Sequence, residues 1–200
     1  KIPVVRVERN NLDGIAVSHH GVALRVGGYP YVALQDIVQT ARERKEAIFV
    51  LLLDLIQDPQ NFGAILRTAD AVGVHGVVIP KRRAVNVTST VVNVSSGASE
   101  HLMIARANIS QTINFLKKAG AWIVGLENTP DAILVNDADL SGPLGLVVGG
   151  EGEGMRELVR RSSDFLVKLP MAGHLDSLNA AVAGSIVLYT AYLMRRKAVA

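Results

Sequence analysis

No cysteine occurs among the 200 residues, which excludes a disulfide framework, a thiolate metal site and a thiol nucleophile, and fits a cytoplasmic protein. Aromatic residues are scarce, at 4% against 49% hydrophobic overall, so the core has to be aliphatic, and the length supports one main domain. An excess of one charge is nearly absent too, the formal net charge being +3. With a sequence pI of about 9.3, a polyanionic partner is permitted and not demanded. No secretory leader is visible, because the chain starts at Lys1 and soon reaches Arg6, Glu8 and Arg9. The stretch closest to membrane-span length, Leu178 to Met194, is broken by Asn179, Ser185 and Thr190 and closes on Arg195-Arg196-Lys197, so it reads as a buried or interface helix and no membrane is expected. His19, His20, His75 and His101 show no metal-ligand spacing. No metal is expected.

What the chain does have is a recurrent alternation of apolar runs and helical spacings. Residues 1–47 stand apart: short apolar alternations at Val4 to Val7 and Gly14 to Val26, then a helix from Leu34 to Lys45, together read as a connector or a remnant of a preceding domain. The steady pattern occupies 48–200. Its apolar strands are Phe49 to Leu53, Gly76 to Ile79, Leu102 to Ile104, Ala121 to Leu126, Leu144 to Val148 and Phe165 to Leu169. Between them a loop from Asp54 to Gly63 leads into a helix from Ala64 to Val72, a short helix covers Ser89 to Asn93, and Ser110 caps a helix running to Lys118. Residues 128–142 read mostly as loop with a helical turn near Ala132. Strands recurring with helices between them predict an α/β fold, a mainly parallel sheet covered by helices on both faces.

The most informative stretch joins the last two strands. Leu144-Gly145-Leu146-Val147-Val148 runs straight into Gly149-Gly150-Glu151-Gly152-Glu153-Gly154, and a strand ending in glycines lets backbone approach a ligand at the carboxyl edge of a sheet. The letters match neither a dinucleotide fingerprint nor a P-loop, and Glu151 and Glu153 would repel a pyrophosphate. Hydroxyl groups or a cationic ligand suit the loop better, and a tight strand-to-helix turn with acidic residues in the first helical turn accounts for the same letters. Phe165 to Leu169 ends similarly in Pro170-Met171-Ala172-Gly173, after which Ser177-Leu178-Asn179 opens a long helix.

The loop after the first strand carries Asp58-Pro59-Gln60-Asn61-Phe62-Gly63 and then Arg67 and Asp70. Arg offers a planar fork for phosphate, and Asn can bind base, ribose or backbone groups. The structural alternative is that Asn61 caps the helix and Arg67 pairs with Asp70.

Taken together, the stretches Asn61 to Ala69, Gly149 to Gly154 and Leu169 to Asn179 resemble the SPOUT-class RNA methyltransferases, in the TrmH/SpoU branch that methylates ribose 2′-oxygens of tRNA and rRNA. The resemblance spans roughly Ile48 to Leu193. It implies a C-terminal deep trefoil knot, S-adenosylmethionine as methyl donor, RNA as substrate and a homodimer. It also implies that Gly14 to Val38 joins the catalytic domain to a small RNA-binding domain, which is not seen in this sequence. Carried over residue by residue, Asn61, Arg67, Glu151, Ser177 and Asn179 form the catalytic constellation, while Leu126, Gly149, Gly150, Leu169, Met171 and Leu178 hold the cofactor. Ala180-Ala181 and Thr190 depart from the family pattern.

The implied chemistry is an in-line attack by a ribose 2′-hydroxyl on a sulfonium methyl, in which the protein aligns two substrates and helps remove a proton. A guanidinium does not readily deprotonate, so Arg67 is expected to hold the neighbouring phosphate and stabilise the developing alkoxide, the proton leaving to phosphate, water or Glu151. Lys81, Arg82, Arg83 and Arg156 are the expected RNA contacts. His174, Asp176 and Ser177 lie too close in sequence for triad geometry, which disfavours a serine hydrolase. The expected activity is methyl transfer to rRNA. Its alternatives are a tRNA substrate or a non-catalytic RNA-binding or assembly protein on the same fold.

Overall fold

The computed structural model describes residues 2–15, 19–24, 27–152 and 154–199. Glu153 of the glycine cluster, and Ala16, Val17, Ser18, Arg25 and Val26 of the expected connector, lie outside the described residues. The chain divides into two units, Lys1–Pro30 and Tyr31–Ala200. In the first, the short helix α1 (Arg9–Asp13) buries none of its residues, and Ile2, Val4, Val5 and Val7 are exposed.

The second unit starts ahead of the expected boundary at Ile48. Its first helix, α2 (Leu34–Glu43), presents Ile37, Val38 and Ala41 to a hydrophobic core that it shares with sheet residues such as Val50 and Val78. Seven strands follow in the order of the chain: β1 (Phe49–Asp54), β2 (Gly76–Ile79), β3 (Ile104–Arg106), β4 (Trp122–Leu126), β5 (Ile133–Leu134), β6 (Leu144–Gly149) and β7 (Phe165–Lys168). Every pairing is parallel, and the sheet order is β3-β2-β1-β6-β4-β7-β5. Both β1 and β6 are buried at every position. That is the signature of central strands covered on both faces, and it explains their unbroken apolar sequences.

Side chains alternate across the sheet. Val50, Leu52, Ile123 and Val147 face one layer, where α5 (Ile109–Lys118) contributes Ile109, Ile113 and Leu116, and α6 (Glu157–Ser162) contributes Val159. The opposite layer holds α3 (Pro59–Ala71) and α7 (Ala180–Val199), which pack on each other and, for α7, on β6. Gly184 permits that approach, since a Cβ there would lie 2.6 Å from Cδ1 of Ile65 on α3 and 3.1 Å from Cγ2 of Val148 on β6. The short α4 (Ser89–Val94) packs beside α3.

Several boundaries differ from expectation for identifiable reasons. Helix α3 starts at Pro59 rather than Ala64, because the Asp58 carboxylate accepts the Gln60 and Asn61 backbone N–H groups and proline suits the first helical turn. Asn108, not Ser110, caps α5 by accepting the Gln111 N–H at 3.1 Å. The third strand is Ile104–Arg106 rather than residues 102–104, because its register is set by Val77 opposite Ile104. The short β5 lies in a stretch expected to be loop. No helix among the described residues is long and apolar enough to cross a membrane.

Candidate active site

With all strands parallel, the loops after β1, β2, β4, β6 and β7 emerge at one edge of the sheet, the edge where open α/β folds place ligands. The glycine loop after β6 is folded tightly back on itself. Gly150 pairs with Gly154, Gly152 and Gly154 adopt φ of +81° and +66°, and a Cβ on Gly149 would fall 2.5 Å from the Met155 backbone nitrogen. These positions need glycine for room and for handedness. An ion pair closes the loop at its base: Asp54, fully buried at the end of β1, accepts from the Arg156 backbone N–H at 2.9 Å and from Nε and Nη2 at 2.8 and 2.5 Å. Arg156, expected among the RNA contacts, neutralises a buried carboxylate that would be costly alone, while its own side chain stays 44% exposed.

Three of the loops meet at Glu151. Asn61 Nδ2 donates to Glu151 Oε1 at 3.2 Å, Asn179 Nδ2 donates to Asn61 Oδ1 at 2.9 Å, and Asn179 Nδ2 also bonds Glu151 Oε1. The rest of the Asn179 amide is used locally, its Oδ1 accepting the Ala181 and Val182 N–H groups at 3.0 and 3.1 Å and thereby starting α7. Asn61 sits on the first turn of α3 under the Asp58 cap. Two helix N-termini and one glycine loop thus fix a single carboxylate.

Glu151 borders two cavities. The larger, about 470 Å³, is lined by Leu126, Gly149, Gly150, Leu169, Met171 and Leu178, the six residues expected to hold a cofactor, and by Ser177 and Asn179. Its walls are the ends of β4, β6 and β7 and the start of α7. Asn128 Nδ2 donates to the Asp176 carbonyl at 2.8 Å and ties the loop after β4 to the loop after β7. The smaller cavity, about 330 Å³, is bounded by Leu55, Gln57, Asp58 and Asn61. One carboxylate therefore stands between a partly apolar chamber and a more polar one, as transfer between two ligands requires.

Not every expected residue joins this cluster. Arg67 is exposed on α3, and its side chain has no hydrogen bond or ion pair among the described residues, so the pairing with Asp70 does not form. Lys81, Arg82 and Arg83 are exposed in the loop after β2, on the same sheet edge as the cavities. His174 makes no hydrogen bond to Ser177 or Asp176. Sequence reasoning missed Asp54 and Glu127. Each stands at a strand's carboxyl end, and that position was the signal available. Glu127 lines the larger cavity, and burial pushes its carboxyl up against the opposing pull of Arg160. Among the described residues no group of three or more acidic or histidine side chains could hold a metal ion.

The family model described as SpoU rRNA Methylase matches residues 48–189. The chain belongs to that family. YacO of Bacillus subtilis, provisionally assigned to the TrmH family of tRNA/rRNA methyltransferases, is 46% identical over 196 residues, covering 97% of this chain and 78% of the relative. Among solved structures, the SpoU methyltransferase AviRb from Streptomyces viridochromogenes, in complex with the cofactor AdoMet, superposes with a TM-score of 0.69 at 30% identity over 75% of this chain and 61% of that one. An RNA 2′-O ribose methyltransferase gives a TM-score of 0.65 at 31% identity, over 75% of this chain and 57% of that one. This chain thus spans less than two thirds of either structure. The three motifs that carried the resemblance in the sequence all fall inside the matched residues.

Proposed function

We propose that this SpoU-family chain transfers the methyl group of S-adenosylmethionine to a ribose 2′-hydroxyl of RNA, with rRNA the favoured substrate. The observation that carries the reading is the convergence of Asn61, Glu151 and Asn179 on the rim of the 470 Å³ cavity. The donor fits that cavity: the glycine backbone at 149–150 allows close approach, Leu126, Leu169, Met171 and Leu178 offer apolar wall to an adenine, and Glu127 offers an acceptor to polar groups. When bound, the donor supplies an electrophilic sulfonium methyl. Asn61 and Asn179 hold the Glu151 carboxylate by their amide donors, keeping one oxygen engaged and leaving the other to orient the attacking hydroxyl or take its proton.

Arg67 lies six residues beyond Asn61 on α3, about 9 Å along the axis and about 240° around it, so it does not face the Glu151 of its own chain. We place it in the site of a second copy, where its fork grips the phosphate beside the target ribose and stabilises the alkoxide. A homodimer is supported by α7, on which Val182, Ile186, Tyr189 and Leu193 form an exposed apolar stripe at helical spacing. Lys81, Arg82 and Arg83 would bind the RNA backbone from the same edge. The insertion of β6 between β1 and β4 is the strand order on which we base the proposed trefoil threading, and the unit before Tyr31, which buries nothing along α1, is proposed as a connector to an RNA-binding domain.

The test is incubation of the purified protein with S-adenosylmethionine carrying a labelled methyl group and with unmodified rRNA and tRNA, followed by mapping of alkali-resistant ribose positions. Label in rRNA ribose is expected. Ribose label in tRNA alone moves the substrate, label on a base overturns the 2′-hydroxyl assignment, and RNA binding without label establishes the non-catalytic alternative.

A further inference from the structure

Glu127 takes no part in the methyl-transfer step, and its role as an acceptor leaves open which group of the donor it receives. Glu127 directly follows β4, its backbone N–H bonded to the Val167 carbonyl at 3.0 Å, and this places it between the ends of β6 and β7 in the cavity wall. Its side chain is 23% exposed, yet Oε2 is sealed from solvent and accepts no hydrogen bond among the described residues. The nearest cation, Arg160 Nε, stands 4.0 Å away and donates to Glu157 at 3.2 Å instead. Oε1 looks toward Gly154, where a Cβ would lie 2.9 Å from it, so the glycine at φ +66° leaves the carboxylate unobstructed. A sealed carboxylate oxygen without a donor is unfavourable, and a native site that keeps one calls for an explanation.

We propose that Glu127 is a donor-binding residue whose carboxylate accepts hydrogen bonds from the vicinal 2′- and 3′-hydroxyls of the methyl donor's own ribose. This rests on the methyl-donor reading of the cavity. A carboxylate offers only acceptors, and Oε2, covered by protein in the ligand-free chain, reaches the cavity by rotation of the side chain to take the second of two adjacent O–H groups. The competing occupant is the ammonium of the donor's amino-acid end, for which the cavity offers the Glu151 and Asp176 carboxylates as well, whereas cations stand close to Glu127 itself. Arg160 is already beside Glu127, and Lys168, bonded to the Thr129 carbonyl at 3.0 Å, lines the same cavity. A third cation would be placed among two others, whereas a neutral diol satisfies the oxygens without adding charge. Placement agrees: β4 is two strands removed from β1, about 10 Å, so Glu127 grips a part of the ligand other than the transferred methyl.

The experiment is calorimetric titration of the wild type, Glu127→Ala and Glu127→Gln with two ligands, S-adenosylhomocysteine and methylthioadenosine. Both carry the ribose diol, and only the first carries an ammonium. Loss of a hydrogen bond to a charged group is worth roughly a 10- to 100-fold change in affinity, and the expected result is an equal loss of that size for both ligands in Glu127→Ala. Glu127→Gln, which keeps the shape and one acceptor, is expected to lose less and serves if the alanine variant fails to fold. Weakening confined to S-adenosylhomocysteine would assign the carboxylate to the ammonium and overturn the proposal, as would unchanged affinity for both. Absence of binding by the wild type itself would instead refute the methyl-donor reading, taking this proposal with it, so the two failures are distinguishable.

Discussion

Asn179 Nδ2 donates to Asn61 Oδ1 at 2.9 Å across 118 positions of chain, and both amides turn to the same Glu151 oxygen. Asn179 has two separable tasks: its oxygen caps α7, and its nitrogen holds Glu151. Asn179→Asp keeps a capping oxygen and adds a charge that a helix N-terminus welcomes, while replacing the donor to Glu151 by a like charge. Melting temperature is expected to stay close to wild type, and kcat/KM for RNA methylation to fall about 10- to 100-fold, the value of one charge-assisted hydrogen bond. Unchanged turnover in a methyl-incorporation assay would mean that the cluster is architectural only.

Arg67 yields a prediction about subunits. Arg67→Lys retains charge and loses the bidentate fork, so a marked fall in turnover is expected, and near wild-type activity would refute the phosphate-holding role. Arg67→Ala and Glu151→Gln should each be inactive alone. If Arg67 serves the neighbouring site of a two-fold dimer, refolding an equal mixture restores about a quarter of wild-type activity, since half the dimers are mixed and each has one intact site. Activity of the mixture no greater than that of either variant would place Arg67 elsewhere.

The sequence displayed the fold well where the physics is local. Unbroken apolar runs at Phe49 to Leu53 and Leu144 to Val148 named the two central strands, because full burial on both faces leaves its mark in every residue. Helix starts were harder. The α3 start was hidden because a residue at the beginning of a loop, Asp58, reaches forward to cap it. The site was legible as three motifs, yet nothing in their spacing told that Asn61, Glu151 and Asn179 share one hydrogen-bonded cluster. Such a meeting depends on strand order, and β6 lying between β1 and β4 is a nonlocal outcome. Arg156 shows the converse: nothing in the letters around a cation beside a glycine loop tells that the buried Asp54, 102 residues earlier, is its ion-pair partner.

His75 lies at the opposite edge of the sheet, where β1 begins. Its Nδ1 accepts the Phe49 N–H at 3.0 Å and its Nε2 meets Glu46 Oε2 at 2.9 Å, an arrangement that holds the ring neutral with its proton on Nε2. Burial lowers its pKa below the ordinary 6.5, with Glu46 opposing. A histidine depressed in this way contributes stability that is present above its unfolded value and is lost as pH falls toward its folded one. The melting temperature is therefore expected to fall between pH 7.5 and pH 5 by more in the wild type than in His75→Gln, as followed by circular dichroism. Parallel curves for the two proteins would contradict the assignment.

Glu127 supplies the reverse sign. Desolvation raises its carboxyl above the ordinary 4.5, the attraction of Arg160 only partly offsetting it. A raised carboxyl favours the protonated folded state, so the stability linked to it is complete below the unfolded value and is lost as pH rises through the folded one. At neutral pH the ligand-free wild type therefore bears the cost of an ionised, underbonded oxygen. Glu127→Gln removes that charge, and its ligand-free melting temperature is expected to exceed that of the wild type at pH 7, with the difference vanishing below about pH 4. Excess S-adenosylhomocysteine should reverse the order at pH 7, because hydroxyl donors then satisfy the carboxylate and stabilise only the protein that carries it. A side chain serving the fold alone would make Glu127→Gln less stable under both conditions, and that result in a thermal shift measurement would refute a ligand-binding role.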